Sequence, residues 1–245
     1  MSTVYTDTVK TLSPSQDLTI GTTGQTVTLP GNDLRVNTVK DAGGNTLWIS
    51  DGSGNVSSVN SGLKGALSLI STQNASASAN ISITTGIDST YDVYVFKFID
   101  INPQTFRSEF TFQASINGGS SYGVSMTTTY IRAYHRESGA LSGFGYDGAR
   151  DLASSTSYMQ LMSDIVTDAD SGSSGVLHLF GLSSTTYVKN WYCRTSNAHS
   201  TGSDPAARDV LTAGFFNTTS AINAIDFKMD TGNINAGIIK MYGLS

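Results

Sequence analysis

The stretch YDVYVFKFIDI, at residues 91–101, decides the fold of most of this chain. Apolar side chains occupy both its odd and its even positions, which point to opposite faces of an extended chain. A strand that is apolar on both faces is usually central in its sheet and covered on both sides. The stretch therefore predicts a central strand, with Tyr94, Phe96 and Phe98 on one face and Val93, Val95, Ile99 and Ile101 on the other.

Strands and turns continue on the C-terminal side of this stretch. Residues 109–116 alternate between apolar and polar, and residues 117–121 (NGGSS) predict a tight hairpin turn into a returning strand over residues 122–133. One face of the returning strand carries Val124, Met126, Thr128 and Tyr130. Further strands are predicted over residues 176–180, 186–196, 210–217, 222–229 and 234–242, and the last two should pair across residues 230–233.

Polar segments separate these strands. Residues 73–80 are low in complexity and residues 135–157 are dotted with glycine, so both predict surface loops. About eight antiparallel strands without a long amphipathic helix predict an all-β fold for residues 66–245, an antiparallel β-sandwich of the jelly-roll type. Loops at the ends of a sandwich often carry recognition, which makes residues 134–150 and 196–208 the segments of interest.

The first part of the chain, residues 1–65, is predicted to be a separate small module of strands and turns. Its glycine clusters, such as residues 51–55 (DGSGN), supply the positive φ angles of tight turns. The candidate strands between the turns are residues 18–20, 27–29, 34–39, 47–49 and 56–59. A segment with so few large apolar residues cannot offset its ordering entropy by burial within one chain. We therefore expect the module to anchor or trimerise the protein through Leu34, Val36, Leu47, Trp48 and Ile49.

The composition argues against several classes of function. The net charge is −5 and the pI is about 5.0, so no basic surface for nucleic acid is expected. Residues 1–5 have neither a basic start nor an apolar run, and no apolar run approaches about 18 residues. These features predict neither a signal peptide nor membrane insertion. The single cysteine, Cys193, is predicted to be a small buried residue in a strand.

A search of the sequence for catalytic and metal-binding motifs yields one candidate, a metal site. Asp164, Asp168 and Asp170 lie close together in a glycine-bearing segment and are candidate Ca²⁺ ligands, although a solvated turn fits the same residues. The three histidines have neither the i, i+4 spacing nor the cysteine partners of a zinc site. A nucleophile elbow and a phosphate-binding loop are both missing from the sequence. We therefore expect a protein that is not an enzyme, with no catalytic residues and no cofactor.

Several aromatic residues fall outside the cores of the predicted strands. Flat aromatic side chains with polar neighbours are suited to stacking on a sugar in a concave site. Packing in the core or at an interface is the other, commoner explanation of such residues. The candidates for a ligand-binding role are Tyr134, Tyr146, Tyr158, Trp191 and Tyr192.

Two stretches of the N-terminal module, residues 19–30 (TIGTTGQTVTLP) and 46–56 (TLWISDGSGNV), resemble repeats in virion structural proteins of tailed bacteriophages, particularly marine ones. Residues 112–122 and 236–243 resemble β-rich domains at the ends of such proteins. The resemblance implies a non-enzymatic virion protein, either a short tail fibre or a capsid decoration protein. It also implies a homotrimer that binds other phage virion proteins. No catalytic or ligand-binding residues are carried over to this chain.

The resemblance leaves two functions to compare. In the first, the protein is a structural component on the virion surface, made in the host cytoplasm and assembled through residues 1–65. In the second, it is a receptor-binding module that recognises a host surface glycan through the loops of the sandwich. In both functions the protein would assemble with other proteins, and in neither would it bind nucleic acid.

Overall fold

A computed structural model describes residues 37–41, 43–59, 67–200 and 204–244. The chain divides into two compact units, Met1–Leu63 and Lys64–Ser245. The regular structure of the described residues is β-strand with antiparallel pairing, which confirms the all-β class. In these same residues, no helix has the length and apolar character needed to cross a membrane.

The first unit contains a three-stranded sheet in the order β1 (Thr38–Lys40), β2 (Thr46–Ser50), β3 (Val56–Val59). An aspartate organises each of its two turns: Asp41 Oδ1 accepts from the Gly43 and Asn45 amides, both at 2.8 Å. Leu47, Trp48 and Ile49 lie in β2 and are half-buried. Their role at an interface between chains stays a prediction, and Leu34, Val36 and the strands predicted at residues 18–20 and 27–29 lie outside the described residues.

The second unit forms two facing sheets from twelve strands. These strands are β4 (Ser68–Ser78), β5 (Ile81–Ile83), β6 (Val93–Pro103), β7 (Ser108–Ser115), β8 (Met126–Arg136), β9 (Ser142–Tyr146), β10 (Met159–Ile165), β11 (Ser173–Phe180), β12 (Lys189–Ser200), β13 (Pro205–Phe216), β14 (Ala224–Met229) and β15 (Ile234–Leu244). The large sheet has the order β4-β15-β6-β11-β12-β13-β8-β9 and the small sheet has the order β5-β14-β7-β10. One β-bridge, from Ile165 to His199, links the edge strand β10 of the small sheet to the end of β12 in the large sheet.

Eight of these strands have the topology of a jelly roll. They form the layers β4-β15-β6-β11 and β5-β14-β7-β10. Numbered in chain order, the layers read 1-8-3-6 and 2-7-4-5, which is the strand order of two nested Greek keys. Two strand pairs are inserted into this frame, β8–β9 after β7 and β12–β13 after β11, and both extend the large sheet. The predicted jelly-roll sandwich is therefore confirmed, with four additional strands.

Aromatic rings fill the space between the two sheets. Phe227 lies at the centre of this cluster, with ring centroids 5.4 Å from Phe96 and 5.3 Å from Phe98 on the large sheet. On its own sheet it stacks on Phe110 at 5.8 Å and on Phe112 at 6.4 Å. Such pairs contribute beyond the area that they bury, so the cluster holds the layers together.

The strand that decides the fold is β6, which lies between β15 and β11. Tyr94, Phe96 and Phe98 are fully buried toward the core, as predicted. On the outer face Val95 is buried, whereas Val93 and Ile99 are half-buried. Ile101, predicted for the same face, is instead fully buried in the core cluster, because the left-handed backbone of Asp100 (φ 52°) interrupts the alternation before it. The predicted central position is correct, but the outer face is only partly covered.

Both predicted hairpins are wrong. β7 pairs with β10 and β14, and β8 pairs with β13 and β9. β14 pairs with β5 and β7, and β15 pairs with β4 and β6. In each place a glycine turn is present, but the chain passes from one sheet to the other. Alternation specifies which side chains face the core and not which strand is the hydrogen-bonding partner.

Both predicted surface loops contain strands. Residues 73–80 continue β4 as far as Ser78, and residues 135–157 contain the end of β8 and all of β9. Main-chain hydrogen bonds hold these segments, so they need few apolar side chains: Asn74 pairs with Ile238 and Gly143 pairs with Tyr134. Both β4 and β9 are edge strands, where one polar face is tolerated.

Candidate functional site

The large sheet extends beyond the small sheet at β13, β8 and β9, and its inner face changes character there. In β8 the inward positions Met126 and Tyr130 are fully buried, whereas the next three inward residues are polar and half-buried. On the neighbouring strand β13, Arg208 pairs directly with Tyr134. The polar residues of β8 are Arg132, Tyr134 and Arg136. The extension therefore exposes a polar inner face instead of an apolar one.

A cavity of about 260 Å³ opens at this face, and we call it the arginine cavity. Five of the seven arginines in the chain line it, together with Leu141, Tyr134 and Asp164. The five are Arg107, Arg132, Arg136, Arg150 and Arg208. So many guanidinium groups around one cavity, in a protein of net charge −5, make it a local concentration of positive charge.

Asp164 is the acidic residue that lines the cavity, and three arginines share its carboxylate. Its Oδ2 lies 2.7 Å from Arg208 Nη1 and 3.2 Å from Arg150 Nη2, and its Oδ1 lies 3.1 Å from Arg107 Nη2. Burial alone would raise the pKa of Asp164, but the hydrogen bond and charge of Arg208, with Arg150 and Arg107, outweigh it and hold the pKa below its usual value. The carboxylate is therefore charged at neutral pH.

Arg150 connects Asp164 to a second buried acid, Glu109. Arg150 Nη1 lies 2.5 Å from Glu109 Oε1 and 2.9 Å from Gln160 Oε1. Burial raises the pKa of Glu109 to about 7, although the hydrogen bond and charge of Arg150 act in the opposite direction. Glu109 therefore carries only part of a negative charge near neutral pH.

Three further ion pairs surround the cavity. Arg132 Nη2 lies 3.1 Å from Asp147 Oδ2, which also lies 3.3 Å from Arg150 Nε. Arg136 Nη1 lies 3.5 Å from Asp204 Oδ2. These pairs fix the guanidinium groups in place around the opening.

The backbone is strained at two residues of the cavity. Arg107 has a φ of 63° and Asp164 has a φ of 51°, both in the left-handed region that residues other than glycine rarely adopt. The Arg107 amide donates to the Ile165 carbonyl at 2.8 Å, which ties the two segments together. Strained residues of this kind cluster at functional sites.

An aromatic groove of about 200 Å³ lies beside the cavity along the edge strand β9. Its aromatic residues, Tyr134, Phe144 and Tyr146, form what we call the aromatic shelf. The Tyr134 ring lies over Gly143, where an added Cβ would come within 2.7 Å of Tyr134 Cε1. Phe144 is 81% exposed, and the exposed Tyr146 donates its hydroxyl to Asp151. Arg132 and Tyr134 line both the groove and the arginine cavity.

The other aromatic candidates lie elsewhere. Trp191 is 2% exposed and packs edge-on against Phe112 at 4.9 Å between the sheets, so its prediction as a ligand-binding residue is wrong. Tyr192 is exposed on the outer face of the large sheet, stacked on His178 at 4.6 Å. Tyr158 donates its hydroxyl to a carboxylate of the small sheet, which engages its polar end.

The predicted calcium ligands are divided between two places. Asp164 belongs to the arginine cavity, and Asp168 and Asp170 lie in the segment between β10 and β11. Within the described ranges, no group of three or more His, Cys, Asp or Glu side chains is placed to hold a metal ion. The arginines engage the carboxylate of Asp164, so it is not a Ca²⁺ ligand together with the other two.

The arginine cavity was not predicted from the sequence. Its five arginines come from four separate segments between residues 107 and 208, and only the fold brings them together. One local signal was present: Arg132, Tyr134 and Arg136 occupy alternate positions and so share the face that begins with Tyr130. The predicted recognition segments 134–150 and 196–208 do contribute side chains to the cavity, from strands as well as loops.

In comparisons with known proteins, the chain matches no protein-family model, no curated protein and no solved structure. The similarity to virion proteins therefore rests on the quoted sequence stretches. The arginine cavity and the aromatic shelf are the structural features that bear on function.

Proposed function

We propose that this protein is a non-enzymatic glycan-binding protein displayed on the surface of a tailed bacteriophage virion. The second unit binds a host surface glycan at the aromatic shelf, and the first unit attaches it to the particle. The glycan-binding half of the proposal is the one that the geometry supports best.

The aromatic shelf carries the proposal. Phe144 is almost fully exposed, at a large cost in unburied apolar surface. Phe144 does not stand alone, because Tyr134 and Tyr146 line the same groove, and contiguous exposed apolar surface marks a binding site where a single exposed ring does not. Next to Phe144, Tyr134 and Arg132 add a flat ring and hydrogen-bond donors along the same groove. Aromatic surface flanked by fixed polar groups is the arrangement that recognises a sugar ring and its hydroxyls.

Glycan binding should depend on the aromatic shelf. We expect the purified full chain to bind a subset of bacterial surface polysaccharides on a glycan array, and Phe144→Ala to weaken that binding about tenfold, since one anchoring aromatic contributes more than about 1 kcal/mol. Tyr187→Ala is the matched control, because Tyr187 is 74% exposed and does not line the groove. An array without hits, or equal losses in both variants, would contradict the proposal.

The structural role on the virion is supported by a separate observation. In β2 the apolar residues Leu47, Trp48 and Ile49 are only half-buried within the chain. Contacts with other copies or with virion proteins would cover them, as expected for a module that assembles between chains.

Assembly through the first unit can be measured by light scattering. We expect a solution mass near three times 25.8 kDa for the full chain. Deletion of residues 1–60 should leave a folded monomer that no longer joins particles, because the shared interface is removed. A full chain that is monomeric, or a deletion variant that still joins particles, would contradict this role for the first unit.

A further inference from the structure

Positive charge exceeds negative charge among the ion-paired groups of the arginine cavity. Among the ion pairs of the described residues, five guanidinium groups pair with four carboxyl groups, those of Asp164, Asp147, Asp204 and Glu109. Burial raises the pKa of Glu109 to about 7, which increases the excess near neutral pH. Partly buried charges are screened weakly by salt, so this excess attracts an anion.

Arg208 provides a second and independent observation. It is 3% exposed, and its Nη1 donates to Asp164 Oδ2 at 2.7 Å and to the Ser163 carbonyl at 3.1 Å. Its Nε has no hydrogen-bond partner among the described residues. A buried guanidinium N–H without a partner is costly, and Arg208 lines the cavity, so an anion bound there is the group that could supply an acceptor to this side chain.

The cavity is also placed to act together with the aromatic shelf. Arg132 and Tyr134 line both openings, so a sugar ring on the shelf would carry its substituents directly over the arginines. A volume of about 260 Å³ accommodates a carboxylate, sulfate or phosphate group with its water molecules.

We propose that the arginine cavity binds the anionic substituent of an acidic glycan. This inference deepens the proposed function and rests on it for the identity of the ligand as a glycan. The shared chemistry is an oxyanion held by guanidinium groups, with Arg107, Arg132 and Arg136 at the opening and Arg208 and Arg150 deeper in the protein.

The test follows the arginine Nε–Hε signals of the full chain by NMR. The chain is titrated with sodium phosphate, sodium sulfate, oligogalacturonate, a sulfated galactan oligosaccharide and methyl-esterified oligogalacturonate, which is neutral. We expect the bare anions and the two acidic oligosaccharides to shift the signals of the cavity arginines, Arg208 included. The neutral ester should bind at least about tenfold more weakly than its acid, because it lacks the charge-assisted hydrogen bonds. The stronger of the two acidic oligosaccharides identifies whether the substituent is a carboxylate or a sulfate.

A matched pair of variants localises the effect. Arg107→Gln removes a guanidinium whose side chain is half-exposed, and should weaken anion binding about tenfold. Arg194→Gln removes an exposed guanidinium that is paired with Asp209 outside the cavity, and should leave binding unchanged. If Arg107→Gln does not fold, the shift of the Arg208 signal in the unsubstituted protein still shows whether the anion binds in the cavity.

The possible outcomes separate this inference from the proposed function. If the ester and the acid bind equally well, the inference that the cavity binds an anionic substituent is overturned, while the proposal of glycan binding stands. If phosphate and sulfate bind at Arg208 but no oligosaccharide binds, the cavity is an anion site and the proposal that its ligand is a glycan is contradicted. If no cavity arginine responds to any anion, the inference is overturned.

Discussion

Replacing Phe227 with alanine is expected to lower the free energy of unfolding by about 3–5 kcal/mol, the usual cost of removing a fully buried phenylalanine. The ring contacts four others, two on each sheet, so its loss opens a cavity between the layers that no single neighbour can fill. The rigid strands on both sides limit relaxation toward the cavity.

Urea unfolding of the full chain, followed by tryptophan fluorescence and circular dichroism, measures this effect. Phe144→Ala is the matched control, because it deletes the same ring from an exposed position on β9 and should change stability by less than about 0.5 kcal/mol. If the two variants lose similar stability, the aromatic cluster is not what holds the two sheets together.

The sequence predicted the strands of the sandwich better than their pairing. The pattern of residues 91–101 correctly predicted that β6 is a central strand, since apolar side chains on both faces of a strand can be recognised in the local sequence. Both predicted hairpins failed because β7 and β14 turn into strands of the other sheet. Whether two consecutive strands pair in one sheet or face each other across the core depends on the whole set of strands, which no local sequence pattern contains.

The site was less predictable than the fold. Tyr134 and Tyr146 were identified as aromatic residues outside the strand cores, and both belong to the aromatic shelf. Trp191 satisfied the same criterion and is buried, because its side chain lies on the inner face of β12 and packs against Phe112 of the small sheet. The arginines could not be grouped from the sequence, since Arg107 directly precedes β7 of the small sheet, whereas Arg208 lies about 100 residues later in β13 of an inserted strand pair.

The buried ion pair of the arginine cavity should contribute far more to stability than an exposed pair of the same geometry. Arg208 Nη1 lies 2.7 Å from Asp164 Oδ2, and Arg194 Nη2 lies 2.8 Å from Asp209 Oδ2. The Arg208 side chain is 3% exposed, whereas that of Arg194 is 73% exposed. Removing one partner of a buried pair leaves an uncompensated charge, whereas water readily solvates the remaining partner of an exposed pair.

Asp164→Asn is therefore expected to lower the free energy of unfolding by about 3–5 kcal/mol at pH 7. Asparagine tolerates the left-handed backbone of residue 164 as well as aspartate does, so the loss reports the charge and not backbone strain. Asp209→Asn, the control, should unfold at nearly the wild-type urea concentration. Equal midpoints for the two variants would contradict a stabilising role for the buried pair.

The pH dependence of this loss distinguishes the charge of Asp164 from its shape. The pKa of Asp164 is lowered in the folded state below the ordinary value of 3.8, since Arg208 and its neighbours outweigh burial. A group with a lowered folded pKa stabilises the protein above its unfolded pKa, and loses that contribution as the pH falls through its folded pKa. The difference in stability between wild type and Asp164→Asn should therefore narrow below about pH 4. Any change in the difference near pH 7 reports Glu109 instead, whose pKa is raised to about 7 by burial and in part by the charge of Asp164. A difference that persists unchanged at low pH would assign the effect to packing around residue 164 and not to its ion pairs.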